Sequence, residues 1–352
     1  MGSKQNGRLP ISIIAIIGGL SLIITIVLSV QVGSTRISIP DIIRSILAAI
    51  GVIPVDSVDP SIYMVINGVR LPRVLCGVLA GGGLAVSGTI MQGVFRNPLA
   101  DPGLLGVSAG ASFGALISMS FGMAASFILY LPTMAFIGAL LAVLIIIGIS
   151  FATHGGRVSS VSLIMSGMAV SALFSALTSL LLTLVNEYQV NNYIFWTMGG
   201  LTNRRWEHVM TMLVPVIGCT IALFLLAGRL DVMLLGDEQA HALGVRSSRN
   251  RILMIVLASL CTASIVSVTG PIGFVGLIIP HIFRMIVGPS HRRLCVASFF
   301  GGGMFLTICD TLVRFISGFN GRELSVGIIT ALIGSPYFIF LLIKRRGKTF
   351  TA

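Results

Sequence analysis

The sequence predicts an all-α, polytopic membrane helix bundle of about ten transmembrane helices, forming one domain over residues 1–352. Three observations predict it. Of the 352 residues, 55% are hydrophobic and 10% charged, against about 25% charged in soluble domains. Apolar runs of about 20 residues, the length of a bilayer-crossing helix, recur along the chain. The runs lack strict apolar–polar alternation, so helices rather than a β-barrel satisfy the backbone in lipid.

The first run, 10–32, follows Lys4 and Arg8. It exceeds the about 7–15 apolar residues of a signal peptide, so it reads as a retained span. Spans 70–94 and 103–122 flank "FRNPLADPG", whose two prolines fix a rigid, non-helical turn. Spans 125–151, 161–186, 208–228 and 250–269 follow. The eighth, 275–288, is short, contains Pro280 and comes after "TGPIGFVG", a break that cannot continue a helix. Spans 295–317 and 325–343 complete the set. Gly77 and Gly81, then Gly106, Gly110 and Gly114, recur every four residues, and Gly81–Gly83 and Gly301–Gly303 are triplets. Small residues of this kind let helix backbones approach closely in lipid.

An even span number places both termini on one side. With the termini inside, the inward segments hold 15 of the 23 basic residues and four of the 11 acids. The positive-inside bias therefore orients the chain with both termini cytosolic. The basic balance reflects topology, and no nucleic-acid partner is needed to explain it.

Several chemistries lack their residues. There is no GxxxxGK[ST] phosphate loop. There is no HExxH, Cys/His cluster or paired-acid DDxxD motif, and the five cysteines are scattered without a CxxC. Catalytic and metal-ligating residues are therefore not expected. Of the acids only Asp310 sits clearly within a span, and Arg314, four residues on, can neutralise it. One paired acid is weak support for a carrier driven by an ion gradient. The energy for any transport then comes from elsewhere.

One polar island interrupts the apolar chain: "LLGDEQAHALGV", 234–245, within the longest inward loop, about 231–249. Its acidic start, helix-forming middle and glycine stop predict a short cytosolic helix. Such a helix is either a solvated loop element or the grip for a separate motor. In the fifth span Ser171, Ser175, Ser179 and Thr183 recur every four residues, a weakly polar stripe whose hydroxyls can bond to their own helix. It either packs on a neighbour or lines a passage without strong ligands.

The stretches "RLPR" (70–73), "SGTIMQGVFRNPLADPGLLGVSAGA" (87–111), "LLGDEQAHALGV" (234–245), "GPIGFVGLIIPHIFRMIVG" (270–288) and "GRELSVGIITALIGSPYFIFLL" (321–342) occur together in this order. With them the chain resembles the iron-siderophore, haem and cobalamin uptake permeases, the FecCD-like type II ABC importers. The resemblance covers nearly the whole chain. It implies a permease subunit in the cytoplasmic membrane of a prokaryote, paired with a second copy or a paralogue. It also implies two cytosolic ABC ATPases carrying ATP and magnesium, and an extracytoplasmic substrate-binding protein. The cargo is a metal chelate, a ferric siderophore before haem and haem before cobalamin. The chain itself hydrolyses nothing and carries no cofactor.

By the same resemblance Asp237, Glu238, Ala242 and Gly244 couple to the ATPase. Asn97 and Leu99, with Ser160 and Val161, form a cytosolic gate, and Ser171, Ser175 and Ser179 line the translocation path. Arg70, Arg73 and Arg322 receive the binding protein; contact with lipid headgroups, or with Glu323 beside Arg322, is the other reading of these outward arginines. The coupling loop departs from the family pattern at Asp237–Glu238 and at His241, where a basic or small residue is frequent. An ion-coupled secondary carrier and a membrane-embedded enzyme are the rival classes.

Overall fold

The computed structural model describes residues 10–33, 37–153, 160–320 and 324–346, and these contain helices and loops but no strand. Among the described residues seven helices are long and apolar enough to cross a membrane, and three shorter apolar helices stand where the remaining expected spans fall. They fall in the order expected from hydropathy.

The first crossing is α1 (Ile11–Gln31), largely exposed to the surroundings of the bundle. An amphipathic pair then lies at its C-terminal end: α2 (Ile39–Ala49) and α3 (Pro60–Met64). Each starts on a side-chain cap, Ser38 for α2 and Asp59 for α3, followed by a proline in the first turn. A π-helical turn, Val65–Arg70, runs without a break into α4 (Leu71–Val94), so this span begins ten residues earlier than the expected 70.

The centre of the bundle is α4, nearly all of it buried. Around it pack α10 (Trp206–Met233), α12 (Ser247–Thr269), α13 (Val275–Val287) and α14 (His291–Asn320). Glycines set the close crossing of α4 and α14. A Cβ on Gly81 would lie 2.1 Å from the carbonyl oxygen of Gly302, and one on Gly302 would lie 2.2 Å from that of Gly81. A second group, α5 (Val107–Ser120), a single turn α6 (Met123–Ser126), α7 (Tyr130–Thr153) and α8 (Ser160–Leu182), packs onto α12 through α5 and α7. Here Gly110 meets Gly138, and Gly114 meets the backbone of Met134.

Like α2, two further elements lie outside the hydropathy reading. The 11-residue α9 (Glu187–Thr197) starts on a reciprocal cap between Asn186 and Gln189, and the Gln189 amide also donates to the last carbonyls of α5, Met119 and Ser120. The short α11 (Asp237–Ala242) bridges α10 and α12. The last crossing is α15 (Val326–Arg346).

The eighth span is short, as its sequence predicts. The 13 residues of α13 rise about 20 Å, short of the about 30 Å hydrocarbon core. The chain reaches it through Gly270, at φ +70°, and the extended stretch to Phe274. Gln92 in α4 donates its side-chain amide to the carbonyls of Gly276 and Leu277, at 3.2 and 3.3 Å, where the helix begins.

Candidate functional site

The polar island folds as a projecting knob. Gly236 turns the chain at φ +124° and α11 begins on Asp237. Its end is a Schellman motif: Val245 N–H donates to Ala240 O at 2.8 Å, Gly244 N–H donates to His241 O at 2.9 Å, and Gly244 sits at φ +77°. Ala240 is fully buried and seats the helix on the bundle. Glu238, Gln239, His241, Ala242 and Gly244 face outward. Beside them Leu234, Leu235 and Leu243 are 41%, 64% and 63% exposed, too apolar for a merely solvated loop. Asp237 makes one loose ion pair, 3.5 Å to Arg251.

The turn after α4 lies at the same end of the bundle. Arg96 takes φ +48° and donates to Met233 O, in the last turn of α10, at 2.7 Å. Asn97 is exposed, and its side-chain oxygen accepts the N–H of Leu99 at 3.0 Å. Leu99 is half-buried against Leu277, Ile278, His281 and Tyr337. Asp101 accepts Gly103 N–H at 2.7 Å; burial raises its carboxyl above the usual range, and that N–H partly counters the rise. Ser160 opens α8 and Val161 is 67% exposed in its first turn.

Sequence reasoning missed the polar contacts that join these segments. The carboxylate of Asp231 in α10 caps α14: it accepts the His291 N–H at 3.1 Å and lies 2.5 Å from His291 Nδ1. Asp231 and His291 stand 60 residues apart, so only the fold brings them together.

The serine stripe divides. Ser171 is half-buried, with its hydroxyl towards Gly106, so it packs and does not face open space. Ser175, Ser179 and Thr183 are exposed. Ser179 Oγ donates to Ser175 O at 3.0 Å and Thr183 Oγ1 to Leu180 O at 2.7 Å, leaving a weakly polar surface.

At the opposite end the expectation for two arginines fails. Arg70 is 6% exposed and donates to the carbonyls of Val30 and Gln31, at 2.8 and 3.1 Å. Arg73 holds Asp310 from both Nε and Nη2, at 3.0 and 2.9 Å. Arg314 takes the same carboxylate at 3.1 Å and also donates to the carbonyls of Ser29 and Val32. The expected Asp310–Arg314 pair is therefore present, with Arg73 as its third member. Both Arg70 and Arg73 are inward structural groups that satisfy the end of α1 and a buried acid. In this conformation neither offers a guanidinium to a docking protein. Arg322 lies outside the described residues. Among the described residues no group of three or more His, Cys, Asp or Glu could hold a metal ion.

The profile of the FecCD transport family matches residues 21–344. The chain belongs to this family. As a FecCD protein it is a membrane permease subunit of an ATP-binding-cassette importer. It is 40% identical over 289 residues to the cobalamin import permease BtuC of Halobacterium salinarum, covering 82% of this chain and 76% of that one. It is 38% identical to the hemin permease HmuU of Yersinia pestis, covering 82% and 86% of the two chains. It is 37% identical to the molybdate permease MolB of Haemophilus influenzae, covering 93% and 95%. A solved ABC transporter, described as of metal-chelate type and inward-facing, superposes with a TM-score of 0.81 at 35% identity, covering 94% of this chain and 99% of that one. The helix bundle of this FecCD chain thus shares the fold of a solved ABC transporter.

Proposed function

We propose that this chain pairs with a second permease subunit, identical or paralogous, to form the passage of a metal-chelate importer in the cytoplasmic membrane of a prokaryote. Two cytosolic ATPases bind the α11 end and bring ATP and magnesium with them. An extracytoplasmic binding protein delivers cargo at the other end. Both termini lie in the cytosol, in keeping with the inward excess of Lys and Arg. The cargo is a ferric siderophore first, then haem, then cobalamin. The relatives' named cargoes include cobalamin, hemin and molybdate, so family membership alone does not choose among them.

The observation that carries this reading is α11: a capped helix seated by Ala240, presenting Glu238 among three exposed leucines. ATPase closure pushes on it, and Asn97 and Leu99, with Ser160 and Val161, gate the passage that Ser175 and Ser179 line. Co-purification with the ATPase and binding protein encoded beside it, followed by identification of the bound ligand, tests it. A permease that moves cargo without any ATPase, and stops when the proton gradient is collapsed, would overturn it.

A further inference from the structure

A cavity of about 360 Å³ opens between the outer parts of α7 and α10, at the end of the bundle opposite α11. Leu131 and Pro132 form an apolar wall; Asn203, Arg204, Arg205 and His208 form the other. The polar wall offers donors. His208 is 3% exposed, and its Nδ1 accepts the Arg205 N–H at 3.1 Å. The neutral ring therefore carries its proton on Nε2, as a donor. Arg204 Nε is buried with no hydrogen-bond partner. Neither Arg204 nor Arg205 joins an ion pair among the described residues, and Glu207, two residues after Arg205, is exposed. Burial lowers Arg204 from the ordinary arginine value, and the nearby charge of Arg73 adds to it. Arg204, held largely out of water and outside any ion pair, calls for an anion, and the exposed Arg205 stands next to it.

The surroundings say which anion. Phe127, Tyr130 and Trp206 are exposed and are chain neighbours of the lining residues Ile128, Leu131 and Arg205, and aromatic side chains of this kind gather at a membrane–water boundary. Below it α10 exposes Val214 and Leu225, and α7 exposes Ile137 and Leu141. Gly218 on α10 has open space where a side chain would stand. Both helices pack on α12, so apolar surface continues from the cationic pocket into the bilayer depth.

We propose that this cavity binds the phosphate of an anionic phospholipid, with Arg204, Arg205 and His208 as donors and the acyl chains along the flanks of α7 and α10. The site goes beyond the transport reading and does not depend on the cargo.

The test uses the full chain as Trp196→Phe, leaving Trp206 as the one tryptophan of the two in the sequence. Vesicles contain brominated phosphatidylglycerol or brominated phosphatidylcholine at equal mole fraction. Brominated phosphatidylglycerol should quench Trp206 at lower mole fraction, by about fivefold for each arginine engaged. The preference should vanish in Arg204→Gln/Arg205→Gln and survive in Arg204→Lys/Arg205→Lys. Equal quenching by the two lipids overturns the proposal, and so does a preference unchanged by the glutamine pair. Soluble glycerol phosphate should leave the preference intact; displacement by it makes this a soluble-anion site and overturns the proposal. If the glutamine pair loses binding-protein association while the lipid preference stands, the arginines serve a carboxylate on that protein and the proposal falls.

Discussion

Arg73 closes on Asp310 with two nitrogens across 237 residues of sequence, while Arg314 grips the same carboxylate from its own helix. One buried acid thus joins α4 to α14 and balances two arginines. Asp310→Asn removes the negative charge and leaves both arginines uncompensated. It should destabilise the protein by about 3–5 kcal/mol, the cost of breaking a buried pair from one side. Thermal unfolding of the purified chain in detergent measures it. An unchanged midpoint would show that the cluster holds nothing together.

Gly81→Ala should be severe, since the new Cβ has the Gly302 carbonyl 2.1 Å away and two backbones cannot part without breaking the α4–α14 seam. Overpacking of this kind costs about 1–3 kcal/mol or more. Gly148→Ala is the control, with nothing within 4 Å in a helix interior. It should be neutral or raise stability by about 0.5–1 kcal/mol. Equal midpoints for the two variants would refute the close crossing.

The order of the apolar helices was legible because lipid leaves the backbone no alternative, and a 20-residue apolar run is visible without any tertiary information. Knob α11 was legible for a similar reason: acids, helix formers and Gly244 are local signals. The Asn186–Gln189 cap of α9 and the Ser38–Asp41 start of α2 were also written locally, but hydropathy does not register caps. The roles of Arg70, Arg73, Asp231 and His291 were not local. Each is set by a partner 40 to 237 residues away, and an arginine near a span end reads the same whether it turns outward or inward.

At the coupling helix, Glu238→Arg should abolish stimulation of the partner ATPase while leaving unfolding unchanged, because Glu238 is exposed and makes no ion pair among the described residues. Gly244→Ala should act differently. It forces a Cβ into φ +77°, at about 1–2 kcal/mol, and loosens the end of α11 itself. ATP turnover in the reconstituted complex, read beside hydrogen exchange of residues 237–245, separates the two. Wild-type turnover in Glu238→Arg would remove α11 from the ATPase interface.

Two further substitutions examine the passage. Ser175→Trp should fold normally and block uptake, since Ser175 is exposed; Ser171→Trp should fail to fold, since Ser171 is packed towards Gly106. Uptake unaffected by Ser175→Trp would move the passage off this face of α8.

A cysteine at Asn97 should crosslink across the permease pair in one nucleotide state only. Asn97 is exposed, and the adjacent Arg96 is tied to Met233 beside the coupling helix. Crosslinking that ignores nucleotide would remove the gate from this turn.

The capping of α1 has a consequence for how the protein is made. Only 11% of the spanning window of α1 is buried, so packing alone holds it weakly; its carbonyls are fastened instead by Arg70 and Arg314. A ribosome delivers α1 first. Its nearer anchor emerges 40 residues later and its farther one only after 285. Between these two events α1 must therefore wait in the bilayer without the helix it packs on most, α14. Its mean hydropathy of 2.8 and freedom from charge suit it to that wait, and the bundle locks shut at that corner only when α14 arrives.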